Sequence, residues 1–178
     1  MLRTCKGAKK LVPLHCQKEQ RTLLTIKKFT TMSTNSNIIV KVKKSDIGSI
    51  ALYDAKKLDV PESYWDGLFK GIEEDVKITN EYIGIYCHWD GYLDGVGKVL
   101  KEHFNTYEKA LNLVLGGSCS YIDDDGNIMR YATRKGEKWD ILQPKQSDNP
   151  ISLAKREYCY LFEDGKWKWL DDGEWKEF

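Results

Sequence analysis

Long apolar runs are missing from this sequence of 178 residues. No stretch reaches the roughly 18–20 consecutive apolar residues of a membrane-spanning helix, so the sequence predicts no such span. A collagen-like composition and disorder of the whole chain are also excluded, because 41% of the residues are hydrophobic. Six Trp and ten Tyr add large apolar surfaces at few positions, which favours a soluble protein with a real core.

Cysteine spacing of the disulfide-rich or zinc-binding kind is missing as well. The five cysteines are an odd number and include no Cys-x-x-Cys pair. Cys87, Cys119 and Cys159 have apolar or aromatic neighbours in the sequence. The pattern excludes a disulfide framework and a zinc knuckle. We therefore expect reduced thiols and a cytoplasmic location.

Acidic residues are nearly absent from the first 31 positions. The chain as a whole carries +1, but residues 1–31 hold eight basic residues and one acid, and residues 32–178 carry −6. Residues 1–31 lack the apolar run of a secretory signal and the Arg- and Ser-rich pattern of a mitochondrial presequence. We interpret residues 1–36 as a basic, disordered leader. An upstream extension, a nucleic-acid-binding arm and a cleaved organellar address are the alternatives.

The acidic remainder predicts a single α+β domain over residues 37–178, with an antiparallel or mixed sheet. β-Branched residues favour a first strand at 38–43, with 48–53 as its partner. The apolar segment 82–89 is typical of a central strand that is covered on both faces. The segment 61–70 favours a short helix that stops near Gly71.

Apolar spacing predicts a two-helix hairpin after the central strand. One face of the first helix contains Val96, Val99, Leu100, His103 and Phe104. Asn105 and Glu108 resemble a capping box for the second helix, which ends at Gly116-Gly117. Its buried stripe contains Ala110, Leu111, Val114 and Leu115.

Three Asp-Gly pairs in the last third of the chain indicate β-hairpins, because this dipeptide suits tight turns. They occupy positions 125–126, 164–165 and 172–173. The strands beside them are predicted at 119–122, 128–131, 158–162, 166–170 and 174–178. Alternation in 166–169 places two Trp on one face and two Lys on the other, as a one-sided sheet requires.

The most distinctive segment is Tyr86-Cys-His-Trp-Asp-Gly-Tyr92, followed by Gly95-Val-Gly97. It resembles an uncharacterised family of small phage, prophage and other bacterial proteins, with similar segments in fungi. In that family a strand ends in Tyr-Cys-(His/Gln)-Trp-Asp-Gly-Tyr, and a Gly-x-Gly opens a helix. The resemblance covers residues 82–117, and Leu93 stands where the family usually has Pro. It implies a phage or mobile-element origin and no established activity, cofactor or catalytic residue.

The same segment contains the candidate ligand-binding residues. Unpaired amides at a Gly-x-Gly helix start attract anions, and Trp89 and Tyr92 would form the walls of a small pocket. The candidates are His88, Trp89, Asp90, Gly91, Tyr92, Gly95 and Gly97. The alternative is a tight strand-to-helix turn in which Asp90 bonds loop amides.

A catalytic interpretation uses Cys87 as a nucleophile, His103 as its base and Asp90 to orient the imidazole. The alternative is an inert core thiol. A zinc site made of Cys87, His88 and His103 is not favoured, since adjacent strand residues point to opposite faces. The segment 123–127 lacks the spacing of a calcium loop. The sequence therefore predicts no metal and no cofactor.

These observations predict a small non-enzymatic binding or accessory protein that contacts a protein partner. One alternative is a Cys/His-dependent hydrolase or transferase centred on Cys87, and another is nucleic-acid contact through residues 1–31. The C-terminal aromatic strands do not favour nucleic acid, because residues 157–178 hold seven acids and three lysines, which repels a polyanion.

Overall fold

β-Branched and aromatic segments form the strands of a mixed sheet. The structure, a computed structural model, describes residues 34–51, 76–131 and 143–178. The strands there are β1 (Ser36–Lys41), β2 (Ile50–Ala51), β3 (Val76–Lys77), β4 (Tyr82–Cys87), β5 (Cys119–Ile122), β6 (Ile128–Arg130), β7 (Lys145–Ser147), β8 (Tyr158–Glu163), β9 (Lys166–Asp171) and β10 (Glu174–Glu177). The helices are α1 (Lys98–His103), α2 (Tyr107–Leu115) and α3 (Pro150–Leu153), and a π-helical turn at Leu93–Gly97 precedes α1.

The main sheet has the order β10-β9-β8-β1-β4-β5-β6, and β7 also pairs with β4. β1 is antiparallel to β4 and parallel to β8. The start of β4 pairs with β7, and its end pairs with β5, where Cys87 lies opposite Cys119. The predicted α+β class with a mixed sheet is confirmed. Because β7 and β5 share one edge of β4, the sheet forks between them.

The two faces of the sheet are covered unequally. On one face, strand residues such as Ile38 and Ile85 pack against α1 and α2 and form the main core. On the other face, a smaller cluster joins Ile39 and Leu161 to Leu153 of α3. The four-residue helix α3 covers only part of the second face, which stays open beside β4.

The predicted hairpins and helix faces agree with the structure. Gly126, Gly165 and Gly173 all have positive φ angles, which glycine adopts without strain. The indole N–H of Trp167 donates to the Phe104 carbonyl at 2.9 Å and joins β9 to the end of α1. Lys168, on the opposite face of β9, bonds Glu163.

Two local predictions were wrong. β2 pairs with β3 in a separate two-stranded sheet and not with β1, whose two edges are occupied by β4 and β8. The N-cap of α2 is Thr106, not Asn105, and its side chain accepts a hydrogen bond from Lys109 N. The predicted helix at 61–70 and the leader up to residue 33 lie outside the described residues. No helix in the described ranges has the length and apolar character that a bilayer crossing requires.

Candidate functional site

The loop of residues 88–97, which joins β4 to α1, is hydrogen-bonded to itself. The amides of Gly95 and Gly97 both donate to the Tyr92 carbonyl, and the Val96 amide donates to the Asp90 carbonyl at 2.8 Å. The amides that were predicted to attract an anion are therefore already used. The alternative interpretation, a tight strand-to-helix turn, describes this loop.

Close packing explains the glycines of the loop. A Cβ on Gly91 would lie 2.7 Å from the carbonyl carbon of Asn35, and a Cβ on Gly95 would lie 2.3 Å from the carbonyl oxygen of Asp90. The buried hydroxyl of Tyr160 also donates to the Gly91 carbonyl at 2.8 Å. These glycines allow backbone segments to approach one another, so they need no ligand to account for them.

Two aromatic side chains of this loop remain exposed. Trp89 is 45% exposed and Tyr92 is 40% exposed. Acidic residues raise the pKa of the Tyr92 hydroxyl. Asp90 contributes most, and Asp124 and Asp94 add to the effect. We call the five residues Trp89, Asp90, Tyr92, Asp94 and Asp124 the aromatic–acidic surface.

Cys87 is buried beside a second thiol. Its backbone lies opposite Cys119, and its Sγ lies 3.8 Å from the Trp89 carbonyl oxygen. The hydrogen bond with Cys119 and burial hold the pKa of the Cys87 thiol well above its ordinary value. A cysteine nucleophile needs an accessible thiolate. Cys87 is fully buried and neutral, so it meets neither requirement.

His103 has different neighbours from Cys87. Its Nε2 bonds the Asp124 carbonyl oxygen at 3.0 Å, and its ring packs on Gly126. Asp90 is exposed and has a φ of 57° within the loop. No hydrogen bond among the described residues joins Cys87, His103 and Asp90. The hydrolase hypothesis therefore lacks the geometry on which it depends.

Acidic groups near the β5–β6 turn stabilise that turn. Asp123 Oδ1 accepts hydrogen bonds from Asp125 N at 3.1 Å and from Asn127 N at 2.8 Å. Within the part of the chain that the structure describes, no group of three His, Cys, Asp or Glu side chains is placed to hold a metal ion.

A cleft that the sequence did not predict opens at the fork between β5 and β7. Its volume is about 760 Å³. The described residues that line it include Asn37, Tyr86, Ser118, Lys145, Lys155 and Arg156. They come from β1, β4, the start of β5, β7 and the segment before β8. Only the pairing of these strands brings them together.

Tyr86 connects this cleft to the end of β4. The Cζ of Arg156 lies 4.7 Å from the centre of the Tyr86 ring. The Tyr86 hydroxyl shares a hydrogen bond with His88 Nδ1, so the two residues lie on the same face of β4, as strand alternation predicts. Burial raises the pKa of Tyr86, although the Arg156 charge opposes the shift. The Tyr86–His88 alternation was the one sequence signal for this region.

Comparison of the chain with protein-family models, with curated protein sequences and with solved structures finds no significant match. The resemblance to the phage and bacterial family therefore stays a prediction.

Proposed function

We propose that this protein is a non-enzymatic binding protein that contacts a protein partner through the aromatic–acidic surface. The supporting observation is the exposure of Trp89 and Tyr92 on a loop that is held by backbone hydrogen bonds within itself and to neighbouring segments. Trp and Tyr are the side chains that contribute most strongly to protein interfaces. A loop that is already ordered loses little conformational entropy when a partner binds.

The charge of this surface favours a basic partner. Residues 32–178 carry −6, and the negative charges of Asp90, Asp124 and Asp94 all raise the pKa of the Tyr92 hydroxyl. An Arg or Lys side chain of the partner would pair with these carboxylates and lie over the exposed indole of Trp89. The partner is thus expected to present a segment rich in Arg or Lys.

The test is selection from a random-peptide display library on the full chain, followed by titration of the consensus peptide. We expect a basic consensus whose affinity falls by about tenfold or more in Trp89→Ala, because an aromatic hot-spot residue is lost. Ile151→Ala is the matched control, since it removes another large apolar side chain of similar exposure, 46%, from α3. Its affinity should equal that of the wild type.

Two results would overturn this proposal. One is a selection that yields no basic consensus on the wild-type chain. The other is a consensus peptide that binds Trp89→Ala as tightly as the wild type. Because Trp89 is half exposed, its replacement is not expected to prevent folding.

The location and origin of the protein belong to the same proposal. Cys87, Cys119 and Cys159 are free thiols, which supports a cytoplasmic location. A phage or mobile-element origin is supported only by the motif at residues 86–92. Nucleic-acid contact through residues 1–31 stays a prediction, and it requires that deletion of this segment abolish a salt-sensitive interaction.

A further inference from the structure

The cleft between β5 and β7 is lined by positively charged side chains, although residues 32–178 as a whole carry −6. Lys145, Lys155 and Arg156 line it, and no acidic side chain is among the described residues that line it. None of these three cations forms an ion pair with a carboxylate in the described ranges. Elsewhere the pattern is different: Lys41 and Lys168 both bind Glu163, at 2.8 and 2.7 Å.

The exposed side chain of Arg156 contacts an aromatic ring at the cleft. Its guanidinium lies over the Tyr86 ring, and the Tyr86 hydroxyl is in turn bonded to His88. A cation–π contact of this kind does not use the guanidinium N–H donors in conventional hydrogen bonds. None of these donors bonds a described residue. Such a planar set of donors can bind two oxygens of one phosphate group.

Hydrogen bonds fix the backbone around this arginine. Asn37 Oδ1 accepts from the Lys155 amide at 2.9 Å, and Asn37 Nδ2 donates to the Ile85 carbonyl. Ser118 Oγ accepts from the Tyr86 amide at 3.3 Å. The segment that carries Lys155 and Arg156 is therefore tied to β1, and Tyr86 is tied to the start of β5. The backbone that carries these two cations is thus hydrogen-bonded to the main sheet.

The size of the cleft suits a small organic molecule. A volume of about 760 Å³ lies within the range of about 300–1,000 Å³ that is typical of small-molecule sites. A free phosphate ion would fill only a small part of it. The cleft therefore has room for an organic group beside the phosphate.

We propose that this cleft is a binding site for a small phosphorylated molecule, whose phosphate group is bound by Arg156 and Lys155. This site is separate from the aromatic–acidic surface, since the two share no residue. Its occupation therefore does not depend on the protein-partner proposal.

The first test is calorimetric titration of the full chain with inorganic pyrophosphate at low salt. We expect a dissociation constant of about 1 mM or lower, and a loss of about tenfold or more in Arg156→Ala, because a charge-assisted hydrogen bond is removed. Lys155→Ala is expected to weaken binding in the same direction. Lys44→Ala, which removes an exposed cation outside the cleft, should leave the affinity within about twofold, as expected for a weak long-range charge effect.

The second test is competition between pyrophosphate and adenosine 5′-monophosphate. The nucleotide should displace pyrophosphate, because both phosphate groups would use Arg156. The proposal is overturned if pyrophosphate does not bind at about 10 mM, a concentration that detects even weak affinity. It is also overturned if Arg156→Ala and Lys155→Ala bind as the wild type does, if Lys44→Ala loses as much affinity as they do, or if the nucleotide does not compete.

Discussion

The aromatic–acidic surface and the cleft meet at the end of β4 and differ in most other respects. Trp89 belongs to the first and Tyr86 to the second. The acidic surface comes mainly from one continuous loop, whose amides donate to carbonyls of the loop and of neighbouring segments. The cleft is basic and combines residues from five segments of the chain. The comparison shows that one strand end can supply two unlike surfaces, because the chain leaves β4 after Cys87 and continues as the loop. The surfaces lie side by side, since His88 bonds the Tyr86 hydroxyl and packs edge-on against the Trp89 ring.

The largest effect is expected for Gly95→Ala, which should disturb the loop and leave the cleft intact. In Gly95→Ala the new Cβ would lie 2.3 Å from the Asp90 carbonyl oxygen, and that backbone atom cannot move without opening the loop. We expect a loss of about 3 kcal/mol in the free energy of unfolding, measured by urea denaturation. Peptide binding should be lost, and pyrophosphate binding should remain if the protein is still folded.

Gly165→Ala is the control for that experiment. Gly165 has a positive φ of 78°, but nothing lies within 4 Å of an added Cβ. Its loss should be about 1 kcal/mol, the ordinary cost of a left-handed alanine. Equal losses at Gly95 and Gly165 would show that the loop is not closely packed.

A smaller effect is expected from Tyr160→Phe, which tests how firmly the loop is attached to the core. The variant removes the 2.8 Å hydrogen bond to the buried Gly91 carbonyl. It should cost about 1–2 kcal/mol in urea unfolding, because the carbonyl is left unsatisfied. Tyr121→Phe, at an exposed tyrosine, should change stability by less than about 0.5 kcal/mol. If both variants lose the same unfolding free energy, the Tyr160 hydrogen bond does not hold the loop to the core.

Glu163→Gln tests how much the ion pairs of Lys41 and Lys168 contribute to the stability of the protein. Burial opposes ionisation of Glu163, but hydrogen bonds from Lys168 and Lys41 outweigh it and lower the pKa of this carboxyl. A lowered pKa in the folded state stabilises the protein above the ordinary value of about 4.3, and the stabilisation is lost as the pH falls through the folded-state pKa. The variant should therefore lose about 1 kcal/mol at neutral pH.

The pH dependence is the decisive part of that measurement. Unfolding curves of the wild type and Glu163→Gln, recorded from neutral pH down to about pH 3, should converge as the carboxyl is protonated. A difference in stability that stays constant over this range would show that the charge of Glu163 has no part in it.

The smallest expected effect is on the stability of Lys155→Met. The Lys155 side chain has no ion pair with a described carboxylate, so its removal should change the unfolding free energy by less than about 0.5 kcal/mol. Lys168→Met, which removes a cation bound to Glu163 at 2.7 Å, should cost about 1 kcal/mol. Equal losses in thermal or urea unfolding would remove the distinction between the two sets of cations.

Local patterns predicted much of the fold. The Asp-Gly turns, the apolar strand and the buried face of α1 depend on neighbouring residues, and they agree with the structure, although the strand predicted at 82–89 ends at Cys87. The partner of β2 was predicted wrongly, because strand pairing depends on which edges other segments already occupy. The sequence of the loop glycines was interpreted as an anion-binding helix start, but glycines in such a loop are equally typical of backbone segments that pack closely.

The sequence by itself determined the α+β class, the division of charge between residues 1–31 and the rest, and the alternation that places Tyr86 and His88 on one face. Tertiary structure alone decided that Cys87 is a buried neutral thiol beside Cys119. It also decided that Arg156 lies over Tyr86 in a basic cleft. The physical reason is distance along the chain: turn and strand preferences act between neighbours, whereas burial and the cleft arise when distant strands pair in one sheet.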